Sequence, residues 1–120
     1  MSTVAEHLDA VVPEGVAIEY LEGRFRFLLG GELREELTFP RNSPDDEGWP
    51  ASLANAIWTL LDRLQDFVIE ELGIQPWPVD PAGGLPRAHA EVSDGKLVFS
   101  YGHPDDPAVG FEPIPLPTVS

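Results

Sequence analysis

Apolar and polar side chains alternate with a period of two from Val16 to Leu29. Val16, Ile18 and Tyr20 fall on one side, with Ala17, Glu19 and Leu21 on the other; beyond Glu22-Gly23, Phe25, Phe27 and Leu29 alternate with Arg24, Arg26 and Leu28. A two-residue turn at Glu22-Gly23 sets Tyr20 against Phe25, Ile18 against Phe27 and Val16 against Leu29, and puts Glu19 opposite Arg26. Apolar then meets apolar and charge meets opposite charge, the condition for a stable register. At Gly30-Gly31 a two-residue loop would bring Arg34 opposite Phe27 on the apolar side. A three-residue loop over Gly30-Gly31-Glu32 avoids this: it pairs Leu29 with Leu33 and Phe25 with Leu37, and sets Glu36 beside Arg26. A three-residue loop with a left-handed glycine is therefore expected, closing a meander of three strands over residues 16–39.

Helical spacing brackets this meander. Thr3-Val4-Ala5-Glu6 reads as a capping box, and Val4, Leu8 and Val11 share one face of a short helix from about residue 3 to 11, stopped by Pro13 and Gly15. Residues 40–50 have loop chemistry. A long helix follows over about 51–72, with Gly73 as its C-terminal cap. Its stripe of Leu53, Ile57, Leu61, Leu64 and Val68 is widened by Leu60 and Phe67 on one side and by Ala54, Trp58, Ile69 and Leu72 on the other. That arc is about half the circumference, broader than the ~100° needed to dock on one surface, so the helix is expected to touch the sheet and something else.

After an irregular, proline-rich crossover at 74–86, Ser93-Asp94-Gly95-Lys96 forms a hairpin turn, because Asp-Gly accepts positive φ. Ala88, Ala90 and Val92 then share a face with Tyr101, Phe99 and Leu97, leaving His89, Glu91, Val98 and Ser100 on the other. Residues 111–120, with Pro113, Pro115 and Pro117, read as an extended tail with no regular partner, appended to a single domain over 1–110. The expected class is α+β: a five-stranded antiparallel sheet in the order α-β-β-β-α-β-β, with the long helix packed on one face. In the order of its elements over roughly residues 3–102, and in its acidity and size, the chain resembles the type III secretion chaperone-like fold; the helix that usually closes that fold gives way here to the proline-rich tail. The resemblance implies a non-enzymatic, often dimeric protein that binds other proteins.

Composition narrows the function classes. Seven basic residues stand against 21 acidic ones, a formal charge of −14 in 120 residues. The halves are alike: four cations against eleven acids up to residue 50, then three against ten. Acidity spread in this way argues against direct binding to a nucleic-acid backbone or an anionic membrane. The absence of cysteine excludes disulfides, thiol catalysis and Cys-ligated metals. No signal peptide or apolar span of about 18 residues is legible, so a cytoplasmic location is expected.

No phosphate-cradling, dinucleotide or nucleophile-elbow motif is present, and no cofactor is implied. The candidate metal ligands are His89, Glu91, His103 and Asp105, with Asp106 beside them: imidazole and carboxylate from one strand face and the loop after its partner, suited to zinc, manganese or iron. The competing reading is a solvated strand face followed by a turn. Glu35 is a candidate general acid or base, because the register sets it opposite Phe27, where a carboxylate is poorly solvated; an inward charge that protects a sheet edge is the other account. Asp62, Asp66 and Glu70 form an acidic ridge at i, i+4 and i+8 on the long helix, either an ordinary solvated face or a surface that steers a basic partner. Trp58, Ile69 and Leu72 flank the helix stripe as interface candidates.

The function expected from these features is a non-catalytic, acidic protein-binding module of chaperone-like or toxin-neutralising immunity type. It would be homodimeric through the long helix and would use Trp58, Ile69, Leu72, Asp62, Asp66 and Glu70. The same charge would also suit a DNA mimic. The alternatives are a small metal-dependent or acid/base enzyme using His89, Glu91 and His103, or Glu35, and a small-molecule carrier with its pocket between helix 51–72 and the sheet.

Overall fold

The computed structural model describes residues 2–38, 49–73, 77–78, 86–103 and 106–115. The loop expected at 40–50 lies outside the described residues as far as 48, as does most of the crossover. The chain forms two compact units, Met1–Arg41 and Asn42–Ser120. The fold is α+β, but the single five-stranded sheet is corrected: the first unit holds a three-stranded sheet and the second a four-stranded one.

In the first unit, helix α1 (Ser2–Asp9) packs on β1 (Val16–Leu21), which pairs with β2 (Arg24–Leu29), which in turn pairs with β3 (Glu32–Thr38). The expected register of the first hairpin is the observed one, Val16 with Leu29, Ile18 with Phe27, Glu19 with Arg26 and Tyr20 with Phe25. Its turn has positive φ at both Glu22 and Gly23 (52° and 78°), the two-residue geometry that matches strand twist. Val4, Ala5, Leu8, Val16, Ile18, Phe25 and Phe27 are buried. The Asp9 carboxylate accepts a hydrogen bond from the Ile18 backbone N–H at 3.0 Å, tying the end of α1 to β1.

The second turn differs from expectation in an instructive way. Phe25 does pair with Leu37, Arg26 with Glu36 and Phe27 with Glu35, but Leu29 pairs with Glu32 and Leu28 with Leu33. The loop is therefore two residues long, with Gly30 and Gly31 both at positive φ (61° and 83°). The glycine pair takes this tight turn without strain. Arg34 becomes the additional residue of a β-bulge, which restores the inward register one step later. As a result Leu33 is 44% exposed instead of facing the core.

On the outer face Glu36 joins Arg24 (2.9 Å) and Arg26 (3.1 Å). The hydrogen bond from Arg26, with the charges of Arg24 and Arg26 behind it, holds the Glu36 carboxyl below the ordinary carboxylate range. A lowered folded pKa means that the pair supports the folded state above the usual carboxylate pKa, and that this support fades as pH falls through the lowered value. Side-chain NMR titration is expected to find Glu36 titrating below its ordinary value, and moving up toward it in Arg26→Met while Arg24 stays in place.

In the second unit, α2 (Trp49–Leu72) ends where the Gly73 N–H bonds to the Ile69 carbonyl at 3.0 Å, with Gly73 at φ 67°. This is a left-handed cap, as expected. β4 (Ala88–Ser93) and β5 (Lys96–His103) form the expected hairpin, with Ala88 opposite Tyr101, Ala90 opposite Phe99 and Val92 opposite Leu97. Asp94 and Gly95 occupy its turn at φ 52° and 72°.

Two strands were not expected. β6 (Asp106–Gly110) and β7 (Ile114–Pro115) both pair with β5, on the edge away from β4. The tail over 111–120 is thereby corrected: Ile114 pairs with Leu97 and Pro115 with Lys96, and Phe111 stacks on Phe99 with centroids 4.7 Å apart. Proline is tolerated because this is an edge, where the missing N–H can face away from the ladder. Residues 116–120 lie outside the described residues.

Candidate functional site

The broad apolar arc of α2 is buried at Leu53, Ala56, Ile57, Leu60, Leu61, Leu64, Phe67 and Val68. The surface expected to need a second copy is thus smaller than the sequence suggests: Ile69 and Leu72 are half-buried, and over residues 51–72 of this helix only Trp58 is a large apolar side chain in water, at 44% exposure. Asp62 is half-buried, and Asp66 and Glu70 are exposed. The ridge and the tryptophan are therefore neighbours on one flank.

α2 lies chiefly along β4. The Tyr101 hydroxyl donates to the Leu61 carbonyl at 2.6 Å, so the Tyr101 face of the sheet is the one that meets the helix. Burial first, and then the carboxylates of Asp62 and Asp66, push the Tyr101 hydroxyl well above the usual tyrosine pKa. Trp77 packs edge-on against the same ring, with centroids 5.6 Å apart. Gln65, also buried, donates to the Pro86 carbonyl at 2.6 Å, fastening the chain just before β4 to the helix.

Two open hollows adjoin at Trp58. One is bounded by Ala51, Ala54, Asn55, Ala88, His89 and Ala90, the other by Asp62, Gln65, Pro86, Arg87 and Ala88. Both follow the margin between α2 and β4. The alanines, Ala51 and Ala54 on the helix and Ala88 and Ala90 on the strand, were not among the site residues expected from the sequence. Their signal was there: small residues on the facing sides of two packed elements leave room at the seam.

The other candidates are dispersed. His89 and Glu91 share a face of β4, with Nε2 and Oε1 3.7 Å apart. His89 Nε2 and the buried Ser100 Oγ, on register-opposed residues, have no hydrogen-bond partner. β6 runs along the edge of β5 away from β4, and His103 pairs with Asp106 three residues beyond Ser100. Asp105 lies outside the described residues. Among the described residues no group of three or more His, Asp or Glu side chains could hold a metal ion. Glu35 sits half-buried on β3, the edge strand of its sheet, opposite Phe27.

No protein-family model matches the chain, and neither does any curated protein or solved structure. Among the described residues no helix is long and apolar enough to cross a membrane.

Proposed function

We propose that this chain is a non-catalytic protein-binding module, of the chaperone-like or toxin-neutralising kind, that takes a basic partner on the exposed flank of α2. The observation that carries the reading is Trp58: a tryptophan 44% in water, set between an acidic ridge and two hollows, one of them walled by alanines. A large aromatic beside a recess is the usual form of an interface anchor, and Asp62, Asp66 and Glu70 supply the charge that attracts a cationic surface. The net charge of −14 extends that attraction over the whole molecule and opposes association of the chain with itself.

Panning a phage-displayed library of random peptides on the purified chain is the test. Peptides rich in Lys or Arg together with apolar residues are expected to be enriched. Trp58→Ala, and separately Asp62→Lys with Asp66→Lys, are expected to lower their affinity at least about tenfold, with the far-ultraviolet circular dichroism unchanged. Enrichment without basic residues, no enrichment at all, or indifference to both variants would overturn the proposal.

A further inference from the structure

We infer that the partner binds as an added β-strand: an extended basic peptide pairs with the outer edge of β4, beneath the flank of α2. This inference rests on the protein-binding reading above and names the form of the ligand.

An exposed sheet edge is a template for another chain, and proteins usually blunt such edges. Among the described residues, the other edges here are blunted. β3 carries a bulge at Arg34 and the charges of Glu32, Glu35 and Glu36. The edge made by β6 and β7 is broken between Gly110 and Ile114, shifts register at Gly102, and contains Pro107 and Pro115. On β1 the outward Ile18 N–H is already taken by the Asp9 carboxylate. β4 carries one carboxylate, Glu91, and has α2 against one face, but neither breaks its ladder. It is six residues long, contains no proline, pairs with β5 without a bulge, and has no second neighbour among the described strands.

The turn decides which of its backbone groups point away from β5. A two-residue turn makes the flanking pair, Ser93 and Lys96, a hydrogen-bonded pair, and bonded and non-bonded pairs then alternate along the ladder. Ser93, Glu91 and His89 therefore spend their N–H and C=O groups on β5, while those of Val92, Ala90 and Ala88 point outward. A guest strand would lie about 4.8 Å further out, alongside the hollows at Trp58. Its side chains on the helix side would meet Trp58 and the alanines, and a cation there would reach Asp62; on the far side Glu91 is exposed. Arg87 is a cation lining the same seam, at its end beside Pro86. A second copy of this chain would bring the same acids to the same edge, whereas a peptide of alternating cationic and apolar residues complements it.

The probe is a synthetic peptide of about eight residues alternating lysine with valine or phenylalanine, long enough to span β4. Amide hydrogen exchange in the full chain is expected to slow at Ala88, Ala90 and Val92 on adding the peptide, with His89 and Glu91 unchanged. N-methylating every second peptide amide is expected to abolish binding in one phase of the alternation and spare it in the other. Ala90→Pro, which removes an outward donor and no β4–β5 bond, is expected to weaken binding at least about tenfold. Binding that is blind to both the alternation and the methylation phase would overturn strand addition while leaving the protein-binding reading intact. Protection at Ala88, Ala90 and Val92 that rises with protein concentration alone would replace the peptide with a second copy. Failure of this peptide to bind would overturn the inference, and the library selection decides the broader reading separately.

Discussion

Phe27→Ala is expected to destabilise the first unit by about 3–5 kcal/mol, the range for removing a buried aromatic ring. Phe27 lies on the middle strand, between Ile18 of β1 and Glu35 of β3, and is 0% exposed. Its ring shares the inward face with Phe25, so its loss opens a void at the centre of a small core that cannot close without moving both neighbouring strands. A unit of about forty residues with no cysteine is near the lower limit for a self-sufficient core. The loss should therefore show as faster amide exchange throughout β1–β3 and a lower urea midpoint. Leu21→Ala is the internal control: that side chain is 52% exposed, and its truncation should move stability by no more than about 0.5 kcal/mol. A cost below about 1 kcal/mol for Phe27→Ala would contradict the packing described.

The second large effect is a dependence on alkaline pH carried by one hydroxyl. Tyr101 is fully buried, donates to the Leu61 carbonyl and is held protonated by burial and by the nearby Asp62 and Asp66 charges. Near neutrality Tyr101→Phe is expected to cost about 0.5–1.5 kcal/mol, the hydrogen bond alone, since the Leu61 carbonyl keeps its partner within the helix. In the unfolded chain the phenol ionises near pH 10. The folded state keeps the proton to higher pH, so between those two values the unfolded state binds fewer protons and stability falls as pH rises. The slope is at most about 1.4 kcal/mol per pH unit. The advantage of the natural chain over Tyr101→Phe should therefore be constant up to about pH 10 and then shrink, disappearing near pH 11. Urea midpoints of both proteins from pH 8 to 11.5 measure it; parallel curves would rule out a buried, protonated Tyr101.

Where a two-residue turn was announced by its own chemistry, the sequence specified the pairing to the residue. Glu22-Gly23 and Asp94-Gly95 each fix their hairpin, and every cross-strand partner follows from the alternation. Gly30-Gly31 announced the same turn, but the polarity of Arg34 argued for a longer loop. Pattern alone sees the one-residue offset and does not say whether the loop or the strand contains it. The division into two sheets was not legible for a related reason. Both hairpin systems are local, and nothing in their alternation states whether β1 or β3 meets β4 or β5. β6 and β7 were hidden because Pro107, Pro113 and Pro115 argue against strand, an argument that holds for central strands and fails at an edge.

The candidate site was half legible. Helical spacing located Trp58 and the acidic ridge, since both depend only on residues of one helix. The alanine wall, the Gln65 bond to Pro86 and the place of β4 at a sheet edge among the described strands depend on which element lies beside which. The metal candidates failed to converge for the converse reason: β6 runs along the side of β5 away from β4, a placement that spacing along the chain does not reveal.

The bulge at Arg34 leaves one hairpin with slack that the other lacks. Delete Arg34 and the strands can zip straight through with Phe25, Arg26 and Phe27 keeping their present partners, whereas a deletion beside Glu22-Gly23 would rotate all of β1 and turn Val16 and Ile18 outward. Changes in length should accordingly be survivable at one tip of the meander and ruinous at the other.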